Sequence, residues 1–283
     1  MRHEKTIKAG LLGLPLSKSL SPDIFHIFSR ISGTKIQYEL RECGAGELAA
    51  VIQAVKAEGW GGFNVTIPHK RAVFKMLNLM DPASRDIKAV NAVRFGKMGL
   101  EGLNTDAAAV LRSLEENGIS TAGKNSVIFG SGGSAGAAGW ALGRAGAASV
   151  TFCARNGGTA MKTAGNLAEV FPKTLFSTAA FSEPAGPAEI FVNATPLGMY
   201  APGMPPVNPK QGEVWLDLAY TPGGTELIRI AAAAGASAID GLEVLVRQAA
   251  LSLKFWTGLP GGDIVEFTRG AIRLLREKIK QGE

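Results

Sequence analysis

Cysteine is nearly absent from the chain: Cys43 and Cys153 are the only two, far apart and in no CxxC pair. No disulfide framework is expected, a reducing compartment fits, and both thiols read as small buried hydrophobes. Long apolar runs are missing too. None approaches the roughly 18 residues of a membrane span, and the apolar stretch behind the N-terminus stops at Gly13 and Pro15, too soon for a signal-peptide core. The expectation is a soluble, cytoplasmic protein with no membrane partner. Charge is sparse, at 19% of 283 residues against 46% hydrophobic, which argues against disorder and allows a large buried core. There is no Lys/Arg block, no zinc-finger spacing and no aromatic RNA-binding signature. The net charge of +6 and pI of about 9.4 therefore point to anionic small molecules and away from nucleic acid. No His/Cys/Asp cluster has ligand spacing, so no metal is expected. The three histidines, His3, His26 and His69, each have an ordinary surface or packing reading.

What is present alternates between strand-like and helix-like segments. Residues 7–13 form a short apolar run. Ser21-Pro22 reads as an N-cap and first-turn pair ahead of Ile24, Phe25, Phe28 and Ile31 at helical spacing. Residues 36–41 read as a strand. Leu48, Val51, Ile52 and Val55 mark a helix ended by Gly59, and residues 62–67 a strand stopped by Pro68. Residues 90–95 and 100–103 flank a Gly96-Lys97-Met98-Gly99 turn as a hairpin. A helix over about 106–116 lies near a domain joint. Beyond it come a strand at 127–129, a glycine-rich turn, a small-residue helix and a strand at 149–154. Strands at 190–192, 214–218 and 237–240 follow, then closing helices over about 242–256 and 263–280. Such alternation predicts an α/β fold with an open, mostly parallel sheet.

Gly130-Ser131-Gly132-Gly133-Ser134-Ala135-Gly136 follows a strand and opens a helix. Glycines there permit a tight turn and let the backbone approach a pyrophosphate seated on the helix N-terminus. A site for NAD usually carries an acid near the end of the second strand. Here residues 131–168 contain no Asp or Glu, and Arg155 stands at that place. A guanidinium can grip a 2′-phosphate that a carboxylate would repel, so NADP is the expected cofactor. Lys162 could assist, although a lysine there is more often simply solvated.

Oxidising an alcohol with NADP also needs a group to take the hydroxyl proton. Lys70 sits just past the carboxyl end of a strand, where open α/β sheets bind ligands. Asp106 reads as a helix N-cap, a role compatible with chemistry, and a Lys and an Asp could share a proton.

Several ordered motifs then carry a resemblance. They are Gly13-Leu14-Pro15 with Ser19-Leu20-Ser21-Pro22; Asn64-Val65-Thr66 through Lys70; and Ala89-Val90-Asn91 with Asn104-Thr105-Asp106. The Gly130 turn with Arg155 and the run Asn193-Ala194-Thr195-Pro196-Leu197-Gly198-Met199 come next. Asp217 through Tyr220 and Thr225 to Asp240-Gly241-Leu242 and Gln248-Ala249-Ala250 complete the set. Together they span nearly the whole chain and resemble the shikimate dehydrogenase family. The resemblance implies a substrate domain of residues 1–106 completed by 241–283, a Rossmann domain of residues 107–240, and an active site in the cleft between them. It implies NADP-linked interconversion of shikimate and 3-dehydroshikimate, in the pathway to chorismate and the aromatic amino acids. Lys70 and Asp106 would be the proton-transfer pair. Ser19 and Ser21 would hold the substrate carboxylate, and Asn64, Thr66, Asn91, Tyr220 and Gln248 its hydroxyls. Gly130, Gly132, Gly133 and Arg155 would bind the cofactor, with Thr195, Met199 and Gly241 at its nicotinamide. The chain departs from the family pattern at Lys18, Phe25, Ala92, Val244 and Thr159. Quinate or an aminoshikimate is an alternative substrate, a non-catalytic ligand sensor an alternative role, and a homodimer stays open.

Overall fold

The computed structural model describes residues 6–183, 186–259 and 263–282, so His3 lies outside the described residues. Two compact units make up the chain, Met1–Thr105 with Val246–Glu283, and Asp106–Leu245.

The first unit carries strands β1 (Ile7–Gly13), β2 (Ile36–Glu42), β3 (Gly62–Val65), β4 (Leu79–Met80), β5 (Ala92–Gly96) and β6 (Gly99–Leu103). They form one sheet in the order β2-β1-β3-β5-β6-β4. β1 runs parallel to β2 and β3, whereas β5 reverses against β3 and forms a hairpin with β6. The hairpin turn needs Gly99, whose φ of 119° a side chain would strain. Helix Ser21–Ser32 presents Ile24, Phe25, Ile27 and Phe28 to the core at helical spacing. The residue before it is Leu20. Ser21 is therefore the first helical residue and not the cap, and the Ser19 hydroxyl accepts its N–H at 3.3 Å. Phe25 stacks on Tyr38 with ring centroids 4.0 Å apart and faces Trp256 at 5.7 Å. The Trp256 indole donates to the Val93 carbonyl at 2.9 Å. The last helix, Ile264–Gln281, adds Phe267 against Phe28 and an ion pair from Lys278 to Asp23. Residues far apart in sequence thus share one core, which is why this unit is discontinuous.

The second unit carries β7 (Asn125–Phe129), β8 (Ser149–Ala154), β9 (Leu175–Ala180), β10 (Ile190–Asn193), β11 (Val214–Asp217) and β12 (Ser237–Ile239). The order is β12-β11-β10-β7-β8-β9, and every pairing is parallel. Renumbered from β7, this is the 3-2-1-4-5-6 arrangement of dinucleotide-binding folds, and the strand order reverses between β7 and β10. β7, β10 and β11 are buried along their whole length or nearly so, as strands covered on both faces must be. Trp215 anchors that core, stacked on Phe191 with centroids 4.6 Å apart. Among the described residues no helix is long and apolar enough to cross a membrane.

Candidate active site

In the second unit the carboxyl ends of neighbouring strands gather the cofactor candidates. Gly130 follows β7 at φ 121°, and a Cβ there would stand 2.7 Å from the Ala194 carbonyl oxygen at the end of β10. Glycine is required by both conformation and crowding, at the point where the strand order reverses. Gly132 is different: its φ of −75° is ordinary, and a Cβ would meet no atom of the chain within 4 Å. It leaves open space at the N-terminus of helix Gly133–Arg144. Deeper in that helix Gly139 lies against Phe152 and Leu167, letting helix and sheet approach.

Arg155 is exposed immediately after β8. Asn156 caps the next helix, Gly157–Val170, by accepting the Thr159 N–H at 3.0 Å. The departure at Thr159 thus falls in the first turn beside Arg155. After β10, Asn193 organises its own loop. Its Oδ1 accepts the Thr195 hydroxyl at 2.6 Å and the Thr195 N–H at 3.1 Å. Its amide donates to Asp217 at 2.8 Å. Asp217 also takes the Thr225 hydroxyl at 2.5 Å and the Ala219 N–H at 3.0 Å. Burial pushes the Asp217 carboxyl up to about 6 despite those bonds, and the charge of Asp240 adds to the rise. Gly241 packs against the carbonyls of Asp217 and Ala219, which leaves no room for a side chain. Met199 is buried, and Tyr220 is half-buried just past β11.

In the first unit Asn64, Asn91 and Gln248 are joined in one buried network. The Asn91 amide donates to Gln248 Oε1 at 3.2 Å and to the Thr105 hydroxyl at 2.9 Å. Asn64 donates to the Asn91 carbonyl at 2.9 Å and to Ser252 at 2.8 Å, and accepts from the Tyr38 hydroxyl at 2.9 Å. Ser19 and Ser21 are tied to each other on the helix Ser21–Ser32 approach. Thr66 is half-buried, with its methyl against Gly13. Lys70 is half-buried and opens helix Lys70–Phe74. The preceding His69 is buried, as a packing reading expects, and its Nε2 bonds to the Cys43 carbonyl at 2.8 Å. Asp106 belongs to the second unit and lies within the first turn of helix Thr105–Glu116, so it is not the cap itself. Among the described residues no group of three or more His, Cys, Asp or Glu is placed to hold a metal ion.

Sequence reasoning missed Tyr38 and Ser252, which hold Asn64, and the roles of Thr105 and Asp217. Ser252 was within reach, because it lies one helical turn beyond Gln248 and shares its face. The departures Phe25, Ala92 and Val244 are all buried.

Residues 11–93 match the model of the shikimate dehydrogenase substrate binding domain. A shikimate dehydrogenase (NADP(+)) of Anaeromyxobacter sp. (strain Fw109-5) is 38% identical over 260 residues, 90% of this chain and 92% of that protein. Among solved structures, a shikimate dehydrogenase in complex with NADP+ aligns with a TM-score of 0.82 and 31% identity, over 97% of this chain and 98% of that one. The ligand-free 5-ketofructose reductase of Gluconobacter sp. strain CHM43 aligns with a TM-score of 0.81 and 30% identity, over 95% and 99%.

Proposed function

This chain belongs to the shikimate dehydrogenase family, and from that premise we propose that it interconverts shikimate and 3-dehydroshikimate with NADP. The buried network of amides and hydroxyls around Asn64, Asn91 and Gln248 carries the reading furthest, because it is what a polyhydroxylated ring requires. A cytoplasmic enzyme of small-molecule metabolism is the corresponding expectation.

NADP supplies the hydride acceptor or donor. Gly130, Gly132 and Gly133 would receive its pyrophosphate at the helix N-terminus. Arg155 would hold the 2′-phosphate, on an edge where residues 131–168 bring no repelling carboxylate. Thr195, Met199 and Gly241 would line the nicotinamide, with Asn193 and Asp217 shaping the loop that carries them. Ser19 and Ser21 would hold the substrate carboxylate. Asn64, Thr66, Asn91, Tyr220 and Gln248 would hold its hydroxyls. Lys70 would take the proton from the reacting hydroxyl and return it in the reverse direction. Asp106 would orient that hydroxyl and stabilise the charged lysine.

The test follows absorbance of the reduced cofactor with shikimate and quinate, each against NADP and NAD. 5-Ketofructose with NADPH is added because of the likeness to the reductase. Shikimate with NADP should give the highest kcat/KM. A preference for quinate or 5-ketofructose would move the substrate assignment, and turnover in no pair would turn the reading to a ligand sensor.

A further inference from the structure

Hydrogen-bond direction in the substrate unit can be worked out from groups that have only one role. A backbone carbonyl can only accept and a backbone N–H can only donate. The Thr105 N–H reaches Asn91 Oδ1 at 2.7 Å, so Asn91 presents its Nδ2 to the Thr105 hydroxyl. The Ser252 hydroxyl lies 2.8 Å from the Gln248 carbonyl and must spend its hydrogen there. The 3.2 Å contact between Thr105 and Ser252 then runs from Thr105 to Ser252. Asn64 is fixed in the same way, because its Nδ2 faces the Asn91 carbonyl. Its second amide hydrogen goes to Ser252 Oγ at 2.8 Å, and its Oδ1 takes the Tyr38 hydroxyl. Both amide hydrogens of Asn64 are consumed inside the protein. What it has left to offer a ligand is the remaining lone pair of Oδ1.

We propose that Ser252 is a positioning residue of the substrate site, its buried hydroxyl fixing Asn64 as an acceptor that recognises a ligand hydroxyl and rejects a group unable to donate. The inference rests on the assignment of Asn64 to the substrate hydroxyls. Ser252 is fully buried and touches Asn64, Thr105 and Gln248 at once, so it acts through them and not on the ligand. Without it one Asn64 hydrogen loses its acceptor, and the amide can tilt to offer that hydrogen outward. An unmet buried donor carries a penalty of its own, which a ligand acceptor would relieve. The site would then discriminate less sharply between a hydroxyl and a group that can accept but not donate.

The experiment compares shikimate with its 4-deoxy-4-fluoro and 5-deoxy-5-fluoro analogues, whose fluorine accepts weakly but cannot donate and which are both still oxidisable at C3, in wild type, Ser252→Ala and Ser252→Cys. In wild type one of the two analogues should fall at least about tenfold below shikimate in kcat/KM through the lost bond to Asn64. In Ser252→Ala that ratio should shrink several-fold, with KM for NADP unchanged. Ser252→Cys, with a weak acceptor of similar size, should lie between. Equal losses on shikimate and both analogues would reduce Ser252 to packing and overturn the proposal, as would wild-type ratios in both variants. If Ser252→Ala does not fold, Ser252→Cys alone decides by the same ratio. If wild type turns over no shikimate, the functional reading itself fails and the Ser252 assignment falls with it, an outcome distinct from an active wild type with unchanged ratios.

Discussion

Lys70 stands directly after His69, which is locked in the core by its bond to the Cys43 carbonyl, and its own carbonyl accepts the Val90 N–H at 3.1 Å. The backbone that carries its side chain is therefore held on both sides, as the proposed proton-transfer role requires. Lys70→Ala should lower kcat by about 10²-fold or more while KM for shikimate changes little. Loss of binding with kcat retained would make Lys70 a ligand and not the proton carrier. Asp217 gives a prediction of a different kind. Its carboxyl titrates near 6 in the fold because of burial, against 3.8 for an ordinary aspartate. The folded chain thus keeps this proton to higher pH than the unfolded chain does. The contribution to stability is complete below about pH 4 and is lost as pH rises through about 6, amounting to roughly 3 kcal/mol. Denaturant unfolding of wild type and Asp217→Asn at pH 4 to 7 should show the difference moving by that amount in favour of the variant as pH rises. A difference that stays constant over the range would assign the titration elsewhere.

At the scale of elements, the turn after β7 separates two uses of glycine that the sequence presents alike. Gly130→Ala places a Cβ against the Ala194 carbonyl at a backbone angle side chains avoid, so it should lower Tm and weaken NADP binding together. Gly132→Ala meets nothing in the protein, so Tm should hold while KM for NADP rises at least about tenfold, because the methyl fills space the pyrophosphate needs. Equal losses of Tm in the two variants would contradict this division. The strand–turn–helix frame of this site was legible because parallel strands buried on both faces read as plain apolar runs. β9 was not: half its residues are exposed, it reads Leu-Phe-Ser-Thr-Ala-Ala, and it lies at the sheet edge, where no apolar run is needed. β4 is two residues long, too short to leave a pattern. Lys70, Gly130 and Arg155 could be read in the same way, since each follows a strand end, whereas Ser21 and Gln248 lie on helices and are reached only through the resemblance. Tyr38 and Thr105 could not be read, because what marks each is a partner distant in sequence, and Ser252 only through its place one turn beyond Gln248.

At the scale of the whole molecule, each unit has its own sheet and its own core. One core is built around Leu12, Trp60, Phe63 and Val93, the other around Val127, Phe129, Phe191 and Trp215. A ligand that binds one unit should therefore stabilise that unit first. NADP at about 100 times its Kd contributes about 2.7 kcal/mol, which is about 100-fold in the exchange of amides that open with the bound unit. Hydrogen exchange followed by mass spectrometry should show NADP slowing β7, β8 and β10. Shikimate alone should slow β3, β5 and the part of helix Gly241–Thr257 that carries Gln248 and Ser252. Either ligand slowing both sheets equally would mean that the chain opens as one cooperative body, and the division at residues 105 and 246 would then describe contacts without describing stability.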